Sequence, residues 1–249
     1  MNRLMKAEWY RVRHSSRLIK WLVAACVFAA VLPLLVDYEV LGKNLAENLI
    51  AEQEMTTFLP CLLSVFAATV VGIAYRNKTA YYEVMAGNKI YQIVFSKIFV
   101  DATLIAVSVF VSMGIYWIII GCCNGTGGIS QLPLRFLLLF VLFFHFCICG
   151  ILMMTTFRQM AGIALVYLRF AVVGTFIALL VNMLLEGQLP EKIMARLADW
   201  FIIVKLCKIF RSEYEITGHL IFTVIAGMLI ESGIWYAISY AGMKKKIYK

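Results

Sequence analysis

Apolar residues fall in blocks of about 20, the length a helix needs to cross the hydrocarbon of a bilayer. Six blocks qualify, at roughly 19–36, 56–75, 98–120, 134–156, 161–184 and 218–240. Pro133 opens the fourth, a natural place for proline in a first helical turn. The pattern predicts an all-α integral membrane protein, with six transmembrane helices forming a single domain over residues 1–249.

Other stretches have helical periodicity without the length or apolarity to span. Near the start, Met5, Trp9, Val12 and Ser16 share one helical face, with Arg3, Lys6, Arg13 and Arg17 in a neighbouring sector. That is the pattern of an amphipathic helix lying in the membrane interface; a simple topogenic charge cluster is the alternative. In "LPEKIMARLADWFIIVKLCKIF" (189–210), Ile193, Leu197, Trp200, Val204 and Cys207 recur at helical spacing. This helix is too charged to span and too apolar to float free.

"RNKTAYYEVMAGNKIYQIVFSK" (76–97) is too long for a tight turn. Asn77 or Thr79 can cap a short helix with a body from Ala80 to Ala86, and Gly87-Asn88 ends it. Lys89 to Lys97 then reads as a helical lead into the third span. The short helix presents Tyr81, Tyr82, Val84 and Met85. Aromatic and methionine side chains suit a protein interface; an aromatic belt at headgroup level accounts for the tyrosines equally well.

Composition agrees with the block pattern. Hydrophobic residues make up 63% of the 249-residue chain and charged residues 15%, against about 25% charged in soluble domains. The net charge of +9 does not point to nucleic acid, because the basic residues cluster at the ends of apolar runs. They set orientation instead. Arg3, Lys6, Arg11, Arg13, Arg17 and Lys20 precede the first span; Arg76, Lys78, Lys89 and Lys97 lie between the second and third. Arg158 follows the fourth, and Lys244, Lys245, Lys246 and Lys249 follow the sixth. Loop 37–55 is acidic and loop 121–133 has no basic residue, while loop 185–217 carries five and dissents. Both termini and the 76–97 segment are expected in the cytoplasm, and the 189–210 helix outside.

Seven cysteines show no zinc or disulfide spacing and read as small apolar residues. "LVAAC", ending at Cys26, imitates a lipoprotein cleavage site. Lys20 interrupts the apolar stretch before it, so no cleavage is expected. The histidines (His14, His145, His219) form no metal cluster, and His145 reads as a hydrogen-bonded core residue. No metal is expected on this chain.

Arg169 and Glu231 lie inside apolar blocks, about 12–14 Å deep at 1.5 Å per residue. Such residues find partners or line a polar cavity. They are expected to pair across adjacent helices, either along a pathway or as a packing contact. Asp101 beside Lys97 reads as an ordinary interfacial charge. Gly162, Gly174, Gly227 and Gly233 read as sites of close helix packing.

The 76–97 segment, with "FSKIF" (95–99) after its Gly-containing turn, resembles the loop between the second and third spans of bacterial type-2 ABC exporter permeases. "LMKAEWYRVRHSSRLI" (4–19) is similar to the interfacial elbow helix of that family, carried here by Met5, Trp9 and Val12. The helix before the last span also fits, so the resemblance covers nearly the whole chain by topology. It implies that Tyr81, Tyr82, Glu83, Val84, Met85 and Gly87 form a cytoplasmic coupling helix. Its implied partners are a separate ABC ATPase subunit, which would hold ATP and magnesium, and a second permease subunit. The sequence contains no G-x-x-x-x-G-K-[ST], the loop that cradles nucleotide phosphates. Cofactors are accordingly expected only on the partner ATPase. The implied role is non-catalytic: a bacterial plasma-membrane export pathway for antimicrobial peptides such as bacteriocins, or for drugs. The alternatives are an ion-coupled secondary transporter using Arg169 and Glu231, and an intramembrane enzyme. The enzyme would need a nucleophile–base pair or metal site at matched depth, and G-x-S-x-G is absent.

Overall fold

A computed structural model describes residues 2–14, 43–47, 79–157, 199–200, 202–210 and 214–247, with isolated positions at 20, 23, 27 and 69. The spans predicted at 19–36, 56–75 and 161–184, and Arg169 with the last of them, lie outside the described residues but for those isolated positions. Among the described residues there are helices and turns and no strands. The helices are α1 (Asn2–His14), α2 (Thr79–Met85), α3 (Ile90–Lys97), α4 (Thr103–Asn124), α5 (Leu132–Thr156), α6 (Ile202–Phe210) and α7 (Gly218–Ile247).

Helix α3 runs into α4 through a π-helical turn, Ile98–Ala102, so the third apolar block belongs to one helix from Ile90 to Asn124. This helix, Leu132–Thr156 and Gly218–Lys244 are the three described helices long and apolar enough to cross a membrane. They contain the predicted spans 98–120, 134–156 and 218–240, each extended at one or both ends.

The middle of the packing is α5. Of its most apolar window 72% is buried inside the chain, against 11% for α7. Leu138, Leu142, Phe143 and Phe146 fill that core with Ile105 and Val109 of α4. Helix α4 crosses α5 antiparallel: Phe110 packs on Phe140, with ring centroids 5.0 Å apart, and Trp117 on Phe136 at 5.2 Å. Helix α7 runs parallel to α5, since His145 faces Glu231 and, further along both, Thr155 hydrogen-bonds Ser239. That is the relative direction the fourth and sixth spans must share if each apolar block crosses once.

The predicted glycine contacts divide. A Cβ at Gly227 would meet Lys205 Nζ at 2.7 Å, whereas one at Gly233 would meet nothing within 4 Å in this chain. Gly233 therefore makes no close contact among the described residues, and Gly162 and Gly174 fall outside them.

Helix α2 ends as its residue types require. Gly87 has φ +84°, a left-handed conformation that costs glycine little. Its N–H donates to the Val84 carbonyl at 2.9 Å, and the Asn88 N–H to the Glu83 carbonyl at 3.2 Å. This pair of bonds is the Schellman closure. The Asn88 side chain adds a third, donating to the same Glu83 carbonyl at 3.0 Å. Gln92 then accepts from the Lys89 N–H at 3.3 Å, which starts α3. The 76–97 segment is thus a short, well-stopped helix turned directly into a long one.

The 189–210 stretch corrects its prediction in part. Its described portion is a turn at 199–200 followed by α6, so one continuous helix does not run through it. Asp199 sits in this turn, its carboxylate held by Lys208 and by His219 Nδ1 at 3.1 Å. The buried face of α6 is Lys205, Leu206, Ile209 and Phe210, not the predicted line through Trp200 and Val204. Trp200 is exposed and Val204 half-buried.

Candidate functional site

The densest cluster of charge lies where α1, α2 and the start of the third apolar block meet. Lys97 and Asp101, one helical turn apart across the π-helical segment, both turn inward and are each 1% exposed. A π-turn opens the regular hydrogen-bond ladder and is found often at functional positions. Opposite them, α1 presents Glu8, 3% exposed, and Arg11.

The contacts form one chain. Arg11 grips Asp101 with a single terminal nitrogen, 3.0 and 2.9 Å from the two carboxylate oxygens. Arg11 Nε donates to Glu8 at 2.6 Å. Lys97 Nζ donates to the other oxygen of Glu8 and stands 3.5 Å from Glu83 of α2. Asp101 is therefore no ordinary interfacial charge: it is buried and ion-paired across 90 residues of sequence.

Among the described residues three carboxylates here share two cations. Burial opposes ionisation of Glu8, but Lys97 and Arg11 outweigh it and hold the carboxyl below its usual range. Burial likewise disfavours the Arg11 charge, and Asp101 with Glu8 more than restores it. At Glu83 burial prevails: its carboxyl is pushed up, only partly offset by Lys97. Its Oε2 is buried without a hydrogen-bond partner among the described residues. Among the described residues Glu83 is the least satisfied member of the network.

The predicted coupling residues fall on both sides of α2. Tyr82 and Met85 point outward, 65% and 70% exposed. Val84 packs inward against the core, Glu83 reaches Lys97, and Gly87 stops the helix. The side chain of Tyr81 lies outside the described residues, as does that of Val12.

On α1 the face turned to the protein is the one beside the apolar stripe. Leu4 and Glu8 are buried on the protein and Arg11 joins them at helical spacing. Met5 and Trp9, the predicted apolar face, line an open groove with Tyr10, His14 and Phe99. Among the described residues nothing covers this apolar stripe, and the ionic network occupies the face beside it.

Two further polar centres lie elsewhere: one at Arg135, which the sequence did not mark as a site, and one at Glu231, which it did. Arg135, fully buried near the start of α5, donates to the carbonyls of Ser130 at 2.9 Å, Lys208 at 3.1 Å and Ile209 at 2.8 Å, and to that of Tyr214. It clamps the carbonyl end of α6, where a cation is also favoured by the helix dipole. Replacing Arg135 with Lys should fail to preserve stability, because three diverging ammonium donors cannot reproduce a planar fork. A thermal unfolding midpoint in detergent should fall nearly as far as for Arg135→Met; each charged hydrogen bond lost costs about 1.5–3 kcal/mol.

The other centre is at mid-span. Glu231 stands 3.2 Å from His145 Nε2, and the Cys149 sulfur lies within 4.8 Å of both. Arg169, the partner expected for Glu231, is outside the described residues. His145 was expected to be hydrogen-bonded, yet its buried Nε2 makes no hydrogen bond among the described residues.

No protein-family model, no curated protein and no solved structure matches the chain.

Proposed function

We propose that the chain is the permease subunit of an ABC exporter, with α2 as the surface on which a separate ATPase subunit pushes. The observation that carries this is the construction of α2. A free helix of seven residues is too short to hold its shape alone. This one is stopped by a Schellman closure and tied through Glu83 to Lys97, so a force on it is passed to α1 and the third apolar block. Its exposed Tyr82 and Met85 are the kinds of side chain that anchor interfaces. In this reading Glu83 lacks a full complement of positive charge because the partner supplies it. A second permease subunit covers the outer face of α7. The peptide or drug class of substrate rests on the family resemblance alone.

Affinity purification of the tagged chain from its native membranes tests the proposal. An ATP-hydrolysing subunit should co-purify; transport by the chain alone, without any ATPase, would contradict it. The same reading puts the exposed Cys122 and Cys123 outside the cell. A membrane-impermeant maleimide should label them in intact cells, and labelling only after lysis would reverse the orientation.

The mid-span approach of Glu231 to His145 favours one other reading, an ion-coupled secondary transporter. Transport abolished by a protonophore and indifferent to ATP depletion would select it.

A further inference from the structure

The geometry points to a divalent cation site of the zinc class between α5 and α7, with His145, Cys149 and Glu231 as ligands. His145 and Cys149 are four residues apart on one face of α5, and Glu231 of α7 faces them. The three ligand atoms lie within 4.8 Å of one another.

Three features favour a cation over a simple polar contact. A protonated Nε2 aimed at a carboxylate 3.2 Å away would form a hydrogen bond, yet this buried nitrogen makes none among the described residues. The nitrogen and the carboxylate oxygen stand at the separation of two ligands of one ion. Tetrahedral zinc with bonds of about 2.0–2.1 Å to nitrogen and oxygen sets those atoms about 3.3 Å apart. The same geometry asks for about 3.6 Å from sulfur to either, so the sulfur must come closer by at most about 1.2 Å. A side-chain rotation covers that.

Charge supplies the third feature. Ligands bind deprotonated, so each ion that binds releases the thiol proton of Cys149 to solvent. Thiolate, carboxylate and neutral imidazole then carry two negative charges against the two positive charges of the ion. The three ligands with their ion sum to zero charge, which suits the middle of a span, where net charge is expensive. Thiolate with imidazole selects zinc-like metals over magnesium or calcium. The site would fasten α7, which buries little of itself in this chain, to the central helix, and would leave one coordination position open.

The test uses the full chain in phospholipid nanodiscs, with Cys122 and Cys123 replaced by Ser, stripped with chelator and titrated with Co²⁺. A thiolate-to-cobalt charge-transfer band should saturate at one ion per chain and be displaced by Zn²⁺. Cys149→Ser should abolish the band, while Cys147→Ser, at the neighbouring buried cysteine, should leave it. His145→Gln and Glu231→Gln should each weaken Co²⁺ binding by more than the about 10–100-fold that follows loss of a residue behind a ligand. Absence of the band in the protein with all three ligands intact overturns the proposal, and that titration needs no ligand variant to fold. Persistence of the band in Cys149→Ser overturns it equally. None of these outcomes depends on the proposed coupling to an ATPase.

Discussion

Replacing Lys97 with Met is expected to destabilise the packing of α1 more than any other single change in the ionic network. Lys97 is 1% exposed and its ammonium lies between Glu8 and Glu83. Methionine fills nearly the same volume, so the loss is one of charge. Two carboxylates would then face each other in a buried site with, among the described residues, only Arg11 nearby, and Arg11 is already engaged with Asp101. Breaking a buried pair in this way costs about 3–5 kcal/mol. A clear fall in the thermal unfolding midpoint is expected, with faster proteolytic release of the N-terminal segment. Glu8→Gln in the same chain should recover part of the loss, because it removes one stranded charge, and the double-mutant cycle would report the coupling directly. If Lys97→Met unfolds at the parent temperature, the network does not hold α1 in place.

Truncating Tyr82 and Met85 together to Ala is expected to have the opposite profile. Both side chains project from the same side of α2, three residues apart, and neither supports the core. Stability and membrane insertion should therefore change little, as for ordinary surface substitutions, within about 0.5 kcal/mol. Association with an ATPase should fall steeply, since anchor residues at an interface cost about 2 kcal/mol or more each when truncated. That is about 30-fold per residue at 1.4 kcal/mol per decade. The measurement is ATP-dependent transport beside the unfolding midpoint of the same protein. Normal transport by the double variant would return the tyrosines to the role of an aromatic belt.

The contrast between these variants shows what was readable in the chain. Apolar block length predicted the three described spans, and Gly87-Asn88 marked the end of α2, because both signals are local. The ionic network is not local. Glu8 and Arg11 look like two more charges of an amphipathic N-terminus, and their partners Lys97 and Asp101 lie about 90 residues away. Lys97 was counted among the basic residues that set orientation, although its ammonium is spent inside the protein. The apolar face of α1 was legible from its spacing; the inward face beside it, with Glu8 and Arg11, was not, since its partners are distant in sequence. Arg135 was hidden for a similar reason: its acceptors are backbone carbonyls, including those at the end of α6, which no residue pattern reveals. His145 and Cys149 share a helical face that spacing can show, but only the packing of α7 on α5 brings Glu231 to them.

The central claim, that α2 is where an ATP-hydrolysing partner docks, is tested most directly by photocrosslinking from position 82. A photoreactive amino acid there, irradiated in native membranes, should give one covalent adduct with an ATPase subunit, and the yield should change when ATP is trapped. Adducts confined to lipid, or to a second copy of this chain, would contradict it.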